Sequence, residues 1–138
     1  MRKLTTTACL ALLMLGCDNS FREEATFEGA PTSSWALLAT DRDEPVERRR
    51  KAVEVLGNLG LTETDRSVPA LKEALTDPDP DVRILTLKAL GKLAPKAGKA
   101  QAAVGRAFND KNKYIAKEAI KTYKLIEMAK PSGLNGGS

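Results

Sequence analysis

Apolar side chains recur at three- and four-residue intervals through most of the chain from residue 34 to residue 128, and each such stripe predicts a helix with one buried face. Val82, Leu85, Ala89, Leu90 and Leu93 form the clearest one; Pro80 and Asp81 suit its first turn, and Gly91 and Pro95 mark its end. Val68, Leu71, Ala74 and Leu75 predict a shorter helix ahead of it, with Pro69 tolerable only in the first turn. Downstream, Ala100, Ala103, Val104 and Phe108 precede a long stripe of Ile115, Ala119, Ile120, Tyr123 and Ile126. Upstream, Trp35, Leu37 and Leu38 precede Ala52, Val55, Leu56 and Leu59. No stretch alternates as a strand, so the expected class is all-α.

The helices repeat. A shift of 34 places Arg49, Ala52, Leu56 and Gly57 on Arg83, Thr86, Leu90 and Gly91; a further shift of 33 places Val82, Thr86 and Leu90 on Ile115, Ala119 and Tyr123, and Asp77 on Asp110. Self-similarity at a period in the thirties predicts stacked helical hairpins, each covering its neighbour's apolar face. The string DPDPDVRILTLKALGKL resembles the second-helix signature of HEAT-like repeats of the short bacterial kind. That resemblance spans Ser34 to Met128 and implies a short α-solenoid of about three hairpins. The third copy departs from it, with Ala116 and Lys124 where the arginine and glycine belong, and the first is degenerate ahead of Arg48. The resemblance also implies a structural ladder of hydrogen bonds between units, carried here by Asp77, Asp110, Arg49 and Arg83, with Asp43 a weaker match. Asp77, Asp79 and Asp81 alternate like the start of a calcium loop, but Val82 and Lys88 stand where Gly and Glu are required. They read instead as helix-capping acids, and no metal is expected.

The first sixteen residues read as a signal peptide: Arg2 and Lys3, then an apolar run from Leu4 to Gly16. That run spans about 20 Å as a helix, short of the roughly 30 Å of a bilayer core. Leu13-Met14-Leu15-Gly16-Cys17 resembles the lipobox of bacterial lipoproteins, with Met14 where leucine is usual. The resemblance implies cleavage after Gly16, a lipid on Cys17 as membrane anchor, and an extracytoplasmic location, with Asp18 leaning toward the inner membrane. Cys9 would leave with the signal, so a disulfide framework is excluded. Residues 17–33 read as a flexible tether whose Phe21 and Phe27 are candidates to dock on the domain; residues 34–128 are the repeat domain, and 129–138 a disordered tail.

Composition narrows the function. The chain of 138 residues has no histidine, which excludes Ser-His-Asp and Cys-His nucleophile systems and imidazole zinc sites. No catalytic residue and no cofactor is expected. The formal charge of +4 is too mild to imply nucleic acid, and an exported chain would not meet DNA. The charge is unevenly placed: Cys17–Asp81 holds 8 basic and 15 acidic residues, a net −7, whereas Val82–Lys130 holds 12 basic and 3 acidic, a net +9. Lys113, Lys117, Lys121 and Lys124 fall within about 80° of helical arc, and Lys88 is the repeat equivalent of Lys121. This strip is either a solvated face or a docking surface for an acidic protein or anionic lipid. The expectation is a scaffold, monomeric by itself, that binds another envelope protein. The alternatives are a basic last repeat lying on anionic membrane and, from another class, a lyase-type HEAT-repeat protein.

Overall fold

The computed structural model describes residues 24–130. The signal peptide, Gly16, Cys17, Phe21 and residues 131–138 of the expected tail lie outside the described residues. Six α-helices carry the fold: α1 (Thr32–Thr40), α2 (Val46–Leu59), α3 (Thr64–Ala74), α4 (Pro80–Lys92), α5 (Gln101–Arg106) and α6 (Lys113–Met128). Consecutive helices pair as hairpins, α1 with α2, α3 with α4 and α5 with α6. The second helices α2, α4 and α6 stack side by side, and α1 packs beside α3. This is a short all-α solenoid of three units.

The buried stripes coincide with the sequence register. Val82, Leu90 and Leu93 of the middle unit are fully buried, as are Ile115, Ala119 and Leu56 in its neighbours. Thr122 is also buried; its hydroxyl donates to the Leu87 carbonyl at 3.0 Å and so ties α6 to α4. Two apolar residues leave the stripes: Leu37 is exposed and Ile120 is more than two-fifths exposed. Ile120 is out of step because the buried face of α6 runs through positions 115, 119, 122 and 126.

Pro69 is the sixth residue of α3 rather than part of its first turn, since the helix starts at Thr64. Its ring faces solvent, so the Asp65 carbonyl left without an intrahelical donor can be hydrated. The third unit opens with the shortest helix. Gly98–Ala100 and Ala107–Asn109 are 3₁₀ turns on either side of α5, where Gly98 and Gly105 weaken the helix.

Residues 24–33, expected to belong to a flexible tether, are folded onto the first unit. Strands β1 (Thr26–Phe27) and β2 (Ala30–Pro31) form a hairpin whose turn residues Glu28 and Gly29 have φ of 51° and 75°, as a two-residue type I′ turn requires. Phe27 packs edge-on against Trp35 with ring centroids 6.0 Å apart, and the Trp35 indole N–H donates to the Phe27 carbonyl at 3.2 Å. Lys51 reaches both the Trp35 ring face, at 5.8 Å, and Glu28, at 2.6 Å. Glu24 accepts from the Ser33 amide at 3.1 Å and pairs with Arg66 at 3.0 Å, which supplies the N-terminus of α1 with the cap that Pro31 cannot give. The hydrogen bond from Ser33 holds the Glu24 carboxyl below its ordinary value. At the other end, Ala129 continues the last turn of α6, its amide donating to the Leu125 carbonyl at 3.1 Å.

Candidate functional site

The joints between units come first, because they set where the exposed side chains stand. Arg49 sends Nε and one Nη to the two oxygens of Asp77, at 3.0 and 3.1 Å, and its other Nη to the carbonyl of Glu44 in its own loop. Arg83 repeats the arrangement one unit on: Nε reaches Asp110 at 3.0 Å, and Nη1 reaches the carbonyls of Asp77 and Pro78 at 2.7 and 3.2 Å. Each arginine therefore bolts its own loop to the aspartate of the next unit. The Asp77 side chain is fully buried and also accepts from Arg42 and from the Asp79 amide at 2.8 Å. The hydrogen bonds that Arg49 donates to Asp77 raise its pKa above its already high ordinary value, against the opposing effect of burial.

Asp43 stands three residues ahead of α2, as Asp77 does ahead of α4 and Asp110 ahead of α6, but its side chain makes no ladder bond among the described residues. Asp77 accepts from the Asp79 amide and Asp110 from the Asn112 amide; in the first loop it is Asp41 that accepts, from the Asp43 amide at 2.9 Å.

Asp79 caps α4, accepting from the Val82 amide at 3.0 Å. Burial pushes its carboxyl up, but the Val82 amide and the Arg50 guanidinium outweigh that and hold it below 3.8. Arg50 also reaches Asp81 at 2.9 Å. No group of His, Cys, Asp or Glu able to hold a metal ion occurs among the described residues.

The acids at the first joint, Asp77, Asp79 and Asp81, are paired with arginines, whereas most of the described lysines of the basic half are not paired. Lys88, Lys113, Lys117 and Lys124 make no ion pair among the described residues, and Lys121 has only Glu118 at 3.6 Å, one turn away on its own helix. The fold divides the lysine strip. Lys88 on α4 and Lys117 and Lys121 on α6 line one cleft of about 470 Å³, together with Ile84, Tyr114 and Glu118. The cleft continues past Gly91 and Lys92 to Thr122 and Leu125. Lys113 and Lys124 do not line it. Lys124 is the repeat equivalent of Gly91, the position against which Thr122 and Leu125 of the next helix pack. It therefore stands on the open end of the array, where a bulky charge discourages a further unit or a second copy from stacking.

Several groups in this cleft carry no signal of their own in the sequence. Tyr114 is about four-fifths exposed and Leu125 about two-fifths, although both lie on the strongly amphipathic α6. Repeat equivalence locates the charged groups beside them but not these two. One row across the stacked second helices reads Glu54, Lys88, Lys121; the next reads Arg50, Ile84, Lys117. Along the first row Glu54 gives way to Lys88 and Lys121, whereas the second row is basic at both ends.

A solenoid of stacked hairpins joined by an Arg–Asp ladder defines a helical repeat protein. Residues 34–124 match the HEAT-repeat family, and the chain belongs to that family. No curated protein and no solved structure matches it.

Proposed function

We propose that this chain is a lipid-anchored protein of the bacterial cell envelope whose HEAT-repeat domain is a non-catalytic scaffold for another envelope protein. The observation that carries the reading is the cleft between α4 and α6, where Lys88 and Lys117 have no ion pair among the described residues and Lys121 has only Glu118, beside exposed Tyr114 and Leu125. A repeat array presents such a face without needing a reaction pocket. The anchor rests on the Leu13–Cys17 motif; no helix among the described residues is long and apolar enough to cross a membrane. Two or three acyl chains on Cys17 would hold the domain stably at a surface. Mass spectrometry of the processed chain tests the anchor: the expected N-terminus is a lipidated Cys17, and an unmodified Cys17 or an N-terminus elsewhere contradicts it. Cross-linking in intact envelopes tests the scaffold: the expected result is a discrete protein adduct with the anchored chain, absent from a Cys17-lipid control.

A further inference from the structure

We infer that the cleft between α4 and α6 takes an extended acidic segment of a partner protein, one that presents carboxylates flanked by apolar side chains. The inference deepens the scaffold reading and is independent of the anchor. Its first support is charge. Lys88 faces Lys117 and Lys121 across the joint, and their only acidic neighbour in the cleft is Glu118, whose contact with Lys121 is long. Carboxylates entering between the helices would meet three ammonium groups in a partly enclosed space, where attraction is screened less than on an open face.

The second support is spacing. From Tyr114 to Leu125 the cleft follows eleven steps of α6, about 16 Å, which is the length of about five residues of extended chain. Lys117 and Lys121 are one turn apart, about 6 Å, close to the separation of about 6.6 Å between same-side residues of a strand. Tyr114 at one end and Leu125 at the other offer apolar contacts to the residues flanking the acids.

Two lysines at strand-like spacing along a cleft of defined length favour a chain segment over a lipid surface. The corresponding joint between α2 and α4 offers no such site. Its row carries Glu54, and Arg50 is already held by Asp79 and Asp81.

The test is a fluorescence titration of the purified full-length chain with the peptide Leu-Ser-Glu-Ser-Glu-Ser-Phe, run at low and at physiological salt. The chain is compared with a Lys88→Glu/Lys121→Glu variant and with a Lys113→Glu/Lys124→Glu variant of the same net charge, all checked for helicity by circular dichroism. Saturable binding that is weakened at least tenfold by the first pair and less than twofold by the second supports the inference. Equal losses in both variants would overturn it in favour of diffuse attraction. Binding to vesicles of phosphatidylglycerol and phosphatidylcholine that the peptide does not displace would overturn it in favour of lipid. Self-association abolished by the first pair would make the occupant a second copy and would also overturn it. Failure of the peptide to bind, beside a surviving envelope cross-link, would sink this occupant and leave the scaffold standing.

Discussion

A Cβ built on Gly57 would lie 2.9 Å from the Cβ of Ala89 and 3.3 Å from its Cα. At this point α2 and α4 approach so closely that only a hydrogen fits. Gly91, the equivalent residue one unit on, is looser: its added Cβ would meet Leu125 at 3.4 Å and Thr122 at 3.6 Å, ordinary contact distances. The same Leu-Gly signature therefore has opposite consequences in two units. Alanine gains about 1 kcal/mol over glycine in a helix interior, whereas overpacking costs about 1–3 kcal/mol. Gly57→Ala is expected to lower the thermal midpoint and Gly91→Ala to leave it unchanged or raise it. Circular dichroism melts of the two variants check the pair.

The ladder is expected to be unequal along its length. Asp77→Asn keeps the oxygen that receives the Asp79 amide but removes the charge facing two arginines, one of them buried. Breaking a buried pair by removing one partner costs about 3–5 kcal/mol. Asp110→Asn should cost less, because the Arg83–Asp110 pair is partly exposed, at 19% and 16% for the two side chains. Urea unfolding of both variants gives the comparison, and equal losses would contradict it.

Acid should weaken the cap of α4. The Asp79 pKa is lower folded than unfolded, so its contribution is complete above its ordinary 3.8 and disappears as pH falls through the lower folded value. Asp79→Asn is expected to flatten the loss of stability below about pH 4 while costing some stability at pH 7. Urea midpoints measured from pH 7 to pH 2 show the slope directly.

The hairpin has its own reporter, since Trp35 is the single tryptophan. Phe27→Ala removes the edge-on ring and uncovers the indole. Emission should move to the red and acrylamide quenching should increase, with a stability loss of about 1 kcal/mol. Unchanged quenching would mean that the hairpin does not shield the ring.

Much of the fold was legible because each unit buries residues at fixed offsets. Val82, Ile115 and Leu90 could be placed from spacing alone, and all three are fully buried. The repeat also identified the arginines of the ladder. What escaped was set by tertiary context. The hairpin over 26–31 has too few residues for an alternating pattern, and it is held by Trp35, Lys51 and Arg66 from later helices. In the first loop the turn contact is made by Asp41 and not by Asp43, although the loop is as long as its counterpart. The cleft was half visible: the lysine strip was evident along α6, but only packing showed that Lys117 and Lys121 meet Lys88 whereas Lys113 and Lys124 do not.

The helix faces of the second and third units can be tested by one contrast. Leu90 is fully buried and Lys121 points outward, its side chain 68% exposed. Leu90→Ala should cost about 2–5 kcal/mol, through lost transfer energy and the cavity left behind. Lys121→Ala should barely move the melt, and the reverse order would mean that the helix faces are inverted.

If the array works through the cleft between its second and third units, site-specific photo-cross-linking in the native envelope will show it. The reactive group replaces Tyr114 in the cleft or Leu37 on α1, two positions of comparable exposure on different parts of the surface. A protein adduct is expected from position 114 and none from position 37, with loss of that adduct when Lys88→Glu and Lys121→Glu are added. Equal adducts from both positions, or an adduct at 114 indifferent to those two substitutions, would contradict it.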